Sequence, residues 1–382
     1  MAHRLVCHLR VRGVRPGEGG VAVSTQAPFE IGGQRVPAGT HALVDIPVSK
    51  LSNHTPITLP VHVVHGREGG QTMFVSAAVH GDELNGVETI RRVLRFVQPD
   101  TLRGTLLCVP IVNAYGFIGR SRYLPDRRDL NRSFPGSATG SLAARLAHIL
   151  LTEVIRRSNF GIDLHTAAVH RVNLPQIRAD FAERPGCREL ADAFGVQVVL
   201  ASPERNGSLR AAAATAGVDV LVYEGGEGLR FDEFAIKAAV EGIARAMVSR
   251  GMLELPGGDI AQGPPELRRG PVFADASKWV RAPDGGVFRS SRRIGHAVSD
   301  GDLLGCVANP YDESEVEVRA PCRGIIIGAT TLPIVNMGDA LFHIAWAREH
   351  HRDGQRKRPR AARGADTPDL AADPVMDEDE II

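Results

Sequence analysis

The hydrophobic and polar positions along this chain change their period twice. Over residues 22–64, short apolar runs alternate with Gly and Pro (FEIGG, RVPAGTHALVDIPV, ITLPVHVVHG), which predicts antiparallel strands lying beside a main domain. Over residues 73–253, strand-like and helix-like patterns alternate. Met73, Phe74, Val75, Ala77, Ala78 and Val79 form a buried strand. The run breaks at His80-Gly81-Asp82-Glu83, and Val87, Ile90, Leu94 and Val97 resume at helical spacing. Residues 106–113 predict a second strand, 161–166 a third, 196–201 a fourth and 218–224 a fifth. Residues 141–157 predict an amphipathic helix, and 231–250 a closing one. Between the second strand and the first of these helices lies a long irregular loop, 114–136, and loops of that length are usually functional. Strands alternating with helices imply an α/β fold with a doubly wound, mostly parallel sheet.

Pro and Gly then cluster over 256–271 and mark a linker. Residues 272–346 read differently, as short β runs separated by turns. Two halves echo each other: RAPDGGVF with RAPCRGII, and AVSDGDLLGCV with IVNMGDALFHI. The repeat suggests a duplicated β unit and resembles the small sandwich barrel of biotinyl and lipoyl carrier domains. The attachment lysine is missing from the expected hairpin, so no prosthetic group is predicted. The domain reading is a flexible leader (1–22), an α/β domain with an N-terminal β extension (23–255), a small β-sandwich or barrel domain (272–346) and a charged, disordered tail (348–382).

Composition narrows the function classes. A formal net charge of +1 over 382 residues gives no global field for nucleic acid or an anionic membrane. No apolar run reaches the length of a membrane span. The basic N-terminus lacks the apolar core of a signal peptide. Cys7, Cys108, Cys187, Cys306 and Cys322 are scattered without CxxC spacing, which fits a reducing cytoplasm.

The candidate chemistry sits at strand ends, where open α/β sheets bind ligands. His80 and Glu83 occupy the turn after the first strand, and a His and a carboxylate three residues apart can grip one divalent metal. His165 near the end of the third strand is the third metal candidate. Asp163, two residues earlier, points to the same face and could hold a ligand's outer nitrogen. Glu224 at the end of the fifth strand is a candidate general base. The loop is rich in arginine. Asn131 and Arg132 could clamp a carboxylate, and Arg210 could add a second clamp, because guanidinium matches the two carboxylate oxygens. Such a run can also suggest nucleic acid, but no aromatic interleaving or wider basic face supports that.

HGDE, DLNRSFPG, DLHT and a strand-end Glu followed by glycine, in this order, resemble the succinylglutamate desuccinylase/aspartoacylase family of the zinc carboxypeptidase-like superfamily. The resemblance covers about residues 40–346 and points to its broad bacterial group of predicted deacylases. It implies a zinc carboxypeptidase-like sheet with one zinc ion per chain on His80, Glu83 and His165, and Glu224 as the catalytic glutamate. It assigns Asn131 and Arg132 to the substrate carboxylate, with Arg122 and Arg210 as further substrate arginines. The activity implied is hydrolysis of an amide in an N-acyl amino acid or related small compound by a cytoplasmic enzyme, with homo-oligomerisation left open. The alternatives are a carboxypeptidase or amidase on a peptide or glutamyl-type substrate, and a non-enzymatic binding or carrier module.

Overall fold

In the strand Glu68–Ala77, Met73, Val75 and Ala77 pack into one hydrophobic cluster and Phe74 into another. Successive side chains of a strand point to opposite faces, so this strand needs cover on both. The computed structural model, which describes residues 26–50, 52–254 and 271–348, shows that cover. Helices Asn85–Phe96, Pro185–Phe194 and Glu233–Ser249 pack on one face, and Leu142–Ile149 and Leu209–Thr215 on the other. This is the doubly wound α/β layering that the alternating pattern predicts.

The sheet is parallel at its centre and antiparallel toward both ends. Asp219–Glu227, Phe160–Ala167, Glu68–Ala77 and Arg103–Val109 run side by side in parallel. On one flank Pro56–His65 pairs antiparallel with Arg103–Val109, and Thr40–Lys50 with Pro56–His65. Thr40–Lys50 and Pro56–His65 are therefore part of the main sheet, which corrects the expectation that they lie beside it, whereas Phe29–Ile31 and Gln34–Val36 pair in a separate two-stranded sheet. Val61, Val63 and Val64 are fully buried, and a strand so buried must pair its backbone groups on both sides.

On the other flank stands Arg171–Ala179, antiparallel to Asp219–Glu227. The hydrophobic pattern does not predict this strand, because Pro175 and its polar neighbours argue against an inner position. The loop at 114–136 holds a short helix, Ala114–Gly119, and a 3-10 turn, Leu130–Arg132. The helix predicted at 141–157 is regular only over Leu142–Ile149, then loosens into a π turn at Leu150–Val154 and tightens into a 3-10 turn at Ile155–Arg157.

The C-terminal β region continues the large sheet. Gly324–Thr330 pairs antiparallel with Arg171–Ala179, followed by Ala340–Trp346 and Ala276–Arg281. A separate four-stranded sheet, in the order Glu315–Arg319, Leu303–Ala308, Gly286–Ser290, Ile334–Val335, closes over a core that includes Phe288, Leu304, Leu341 and Phe342. The sequence echo has a structural counterpart. Ile334–Val335 of the second half pairs with Gly286–Ser290 of the first, and Ala297–Val298 of the first pairs with Gly324–Thr330 of the second. The leader, most of the linker and the tail from 349 onward lie outside the described residues. No helix among the described residues is long and apolar enough to cross a membrane.

Gly161 lets the fully buried ring of Phe74 lie across its strand. A Cβ there would stand 2.0 Å from Phe74 Cε1. Gly161→Ala is expected to lower stability by about 1–3 kcal/mol, as overpacking of a filled core does. Denaturant unfolding checks this, and an unchanged midpoint would contradict it.

Candidate active site

Past Ala77 the chain leaves the sheet through Ala78, whose φ of 49° lies in the left-handed region that non-glycine residues rarely adopt. The reversal is held by Val112 N–H donating to Ala77 O (3.0 Å) and Asn113 N–H to Ala78 O (2.8 Å). It delivers His80 and Glu83 to the C-terminal end of Phe160–Ala167, the strand that carries His165. That strand runs two residues past His165, so the histidine projects from the sheet rather than from a loop.

The three side chains converge. Glu83 Oε1 lies 2.6 Å from His80 Nδ1, and Glu83 Oε2 lies 2.8 Å from His165 Nδ1. One ligand-type atom from each lies within 4.8 Å of the other two, and all three residues are buried. Thr166 N–H also donates to Glu83 Oε2 (3.3 Å). Each outer imidazole nitrogen faces a carboxylate. Asp163 Oδ2 is 2.7 Å from His165 Nε2, and Asp163 Oδ1 accepts from Ser76 Oγ at 2.7 Å. Asp129 Oδ1 is 3.3 Å from His80 Nε2, an ion-pair contact whose angles fall short of a hydrogen bond. Arg122 Nη2 donates to Asp129 Oδ2 (2.9 Å), and its Nη1 is 3.6 Å from Glu83 Oε1.

Three carboxylates, Glu83, Asp129 and Asp163, thus surround two imidazoles, with Arg122 as a compensating cation. Burial pushes the His80 pKa down, but Glu83 and Asp129 overcome it and raise the pKa to about 9. Burial likewise opposes charge on His165, and Asp163 with Glu83 drives its pKa well above the ordinary value. Burial opposes ionisation of Glu83 and Asp129 too. The two imidazoles hold Glu83 below the usual carboxylate range, and His80 with Arg122 does the same for Asp129. The site demands positive charge. A divalent ion fits that demand. Two nitrogens and a carboxylate are a donor set that zinc accepts, and carboxylates fixing the outer histidine nitrogens are the usual support of such a site.

Glu224 is the Cα partner of His165 on the adjacent parallel strand, so the two side chains share a face. Asn173 Nδ2 donates to Glu224 Oε2 (3.3 Å), and Arg178 Nη1 is 3.6 Å from Oε1. The strand continues through a bulge to Glu227, so Glu224 does not end it. Glu227 instead accepts from His170 N–H and Thr331 Oγ1, each at 3.2 Å, at the join to the C-terminal strands.

The arginine-rich loop divides. Arg122 joins the triad through Asp129 and Glu83. Asn131 Oδ1 accepts from Leu209 N–H (2.9 Å), tying the 3-10 turn to the helix that bears Arg210. Arg132 Nη1 donates to Asn131 O (3.0 Å). Arg210 Nη2 donates to Pro203 O (2.7 Å) and Ser202 Oγ (3.3 Å).

Residues 69–250 match the family model of the succinylglutamate desuccinylase/aspartoacylase catalytic domain. The chain carries a catalytic domain of that family. It is 26% identical over 337 residues to the N-alpha-acetyl-L-2,4-diaminobutyric acid deacetylase of Halomonas elongata, a match spanning 85% of this chain and 94% of the relative. Among solved structures, a succinylglutamate desuccinylase/aspartoacylase from Rhodobacter sphaeroides superposes with a TM-score of 0.72 at 23% identity, covering 81% of this chain and 96% of that one. The ectoine utilization protein EutE (DoeB) of Ruegeria pomeroyi, solved with product bound, superposes with a TM-score of 0.70 at 22% identity over 81% and 95% of the two chains.

Within this desuccinylase/aspartoacylase domain, several contributors escape a reading of motifs. Asp129 begins the DLNR motif, yet its place against His80 depends on the fold of the whole loop. Asn85 is fixed the same way. Its Nδ2 donates to Gly225 O (3.0 Å) and its Oδ1 accepts from Asp232 N–H (3.0 Å), joining the HGDE turn to the segment after Glu224. Leu229 N–H donates to Asp82 O (2.7 Å) and completes that join.

Gly81 lies directly against the helix Ala114–Gly119. A Cβ at Gly81 would stand 1.9 Å from the Gly116 carbonyl carbon and 2.2 Å from Phe117 N, and backbone cannot swing aside as a side chain does. Gly81→Ala is expected to displace His80 and Glu83 together and to lower bound divalent metal per chain by at least half. Metal analysis after loading measures this, and full occupancy would show that the turn tolerates the methyl group.

Proposed function

We propose that the chain is a zinc-dependent deacylase that hydrolyses the amide bond of an N-acyl amino acid or a related small carboxylate compound. It binds one zinc ion per chain at His80, Glu83 and His165 and acts in the cytoplasm. The observation that carries this is the convergence of those three donors beside Glu224, which stands on the neighbouring strand in register with His165. The deacetylase activity named for the Halomonas elongata relative, on an N-acetylated diamino acid, supports the substrate class.

When bound, zinc supplies Lewis-acid polarisation of the acyl carbonyl and acidifies water at the site. Glu224 takes the proton from the attacking water and passes it to the leaving nitrogen. The carbonyl carbon gains an oxygen as the C–N bond breaks, leaving a carboxylate and an amine. Asn173 and Arg178 contact the two Glu224 oxygens and restrict its rotation. Ser76, Asp163 and Asp129 fix the imidazoles so that their Nδ1 atoms face inward. Arg132 recognises the substrate carboxylate, with Arg122 and Arg210 as further positive charges on that side.

Glu224→Gln preserves shape but removes the proton acceptor. The variant is expected to bind zinc at wild-type stoichiometry and to lose at least about two orders of magnitude in turnover of N-acyl amino acids. Zinc content and turnover number on the same preparation check this. Near-normal turnover with full zinc would remove Glu224 from the chemistry.

Arg132→Lys keeps the charge and loses the paired donors. It is expected to lower kcat/KM for carboxylate-bearing substrates about tenfold or more while zinc content stays constant. An unchanged kcat/KM would remove Arg132 from carboxylate recognition.

A further inference from the structure

The row of side chains that holds His165 and Glu224 extends one strand further. Gln176 on Arg171–Ala179 is the Cα partner of Glu224, so it projects from the same face. Strands in a sheet lie about 4.8 Å apart, which places Gln176 roughly 5 Å from Glu224 and roughly 10 Å from His165 along the row. Gln176 is 0% exposed, and neither Nε2 nor Oε1 has a hydrogen-bond partner among the described residues. Leaving a buried amide unpaired is costly, and native folds retain such a group where something else completes it.

A second buried polar atom on the same flank is also without a partner. His343 on Ala340–Trp346 is 2% exposed, its Nδ1 is unpaired, and its ring stacks on Trp279 at 4.5 Å. The charge of Arg178, two residues from Gln176, reaches it. The polar interior therefore runs from the triad past Glu224 toward the C-terminal strands.

We propose that Gln176 is a substrate-binding residue that hydrogen-bonds the amine half of the substrate, and that this half carries both an acceptor and a donor beyond the leaving nitrogen, as the carboxylate and second ammonium of a diamino acid do. The inference rests on the deacylase reading. Glu224 hands its proton to the leaving nitrogen, so what that nitrogen carries lies next along the row. A primary amide presents one donor group and one acceptor, and both stand unused. A carboxylate alone would leave Oε1 unsatisfied, and an ammonium alone would leave Nε2 unsatisfied.

The test is calorimetric titration of zinc-loaded wild type and Gln176→Met with the diamino acids 2,4-diaminobutyrate and lysine, with aspartate and glutamate, whose single ammonium is the leaving nitrogen, and with butylamine, which bears only the leaving nitrogen. Gln176→Leu serves as the second apolar variant should the first fail to fold. The expected result is wild-type binding of at least one diamino acid, weakened about tenfold or more in the variant, with a smaller change for aspartate, glutamate and butylamine. Zinc content should stay constant and Tm should be unchanged or higher, because the unpaired amide is gone. Equal affinities in the two proteins would overturn the inference, as would a fall in Tm and zinc content together, which marks a structural glutamine. Failure of wild type to bind either diamino acid would also overturn it. Wild-type turnover of N-acyl amino acids, scored separately, decides the deacylase reading itself.

Discussion

Everything at the candidate site depends on one carboxylate. Glu83 stands between two buried imidazoles, 2.6 Å from His80 and 2.8 Å from His165, and joins two segments more than eighty residues apart in the chain. Without its charge, two histidines taken out of water would have little reason to share a pocket. With it, and with Asp129 and Asp163 behind the rings, the pocket holds more negative charge than Arg122 neutralises. Such a site gains from positive charge, whether as protons on the rings or as a divalent ion between them. The same feature couples fold to chemistry. The turn that carries Glu83 is held by backbone contacts to Gly116 and Phe117 and by the bonds of Asn85 to Gly225 and Asp232.

The arginine-rich loop is organised by this charge balance. Arg122 is drawn to Asp129 and Glu83, so a residue that resembles a substrate arginine also serves as counter-ion to the triad's carboxylates. Asn131 is used in part to seat the helix that carries Arg210.

The C-terminal β region is no appendage. Its strands continue the large sheet through the Gly328–Asn173 pair, and His343, stacked on Trp279, stands in register with Gly328 on the next strand. On its side away from Asp219–Glu227, Arg171–Ala179 pairs with Gly324–Thr330 over residues 171–173 and with Val198–Ala201 over residues 176–179, so the C-terminal region covers one end of what would otherwise be an open edge.

The sequence by itself determined the layering and brought His80, Glu83 and His165 forward as a cluster of ligand-type residues; it placed Glu224 at a strand end, whereas the strand continues to Glu227. Those features are local. A fully apolar run followed by a polar turn and a helical period is written in consecutive residues, and HGDE and DLHT carry the three ligand-type residues. Asp163 was readable too, because residues two apart on a strand share a face. Only the tertiary structure decided that Thr40–Lys50 and Pro56–His65 belong to the main sheet, that Pro175 lies within an inner strand, that Asp129 backs His80, and that Gln176 stands beside Glu224. Each of these rests on which strand pairs with which, and in what register. Pairing register is set by the packing of whole faces and by turns far apart in the chain, so no short stretch of sequence encodes it.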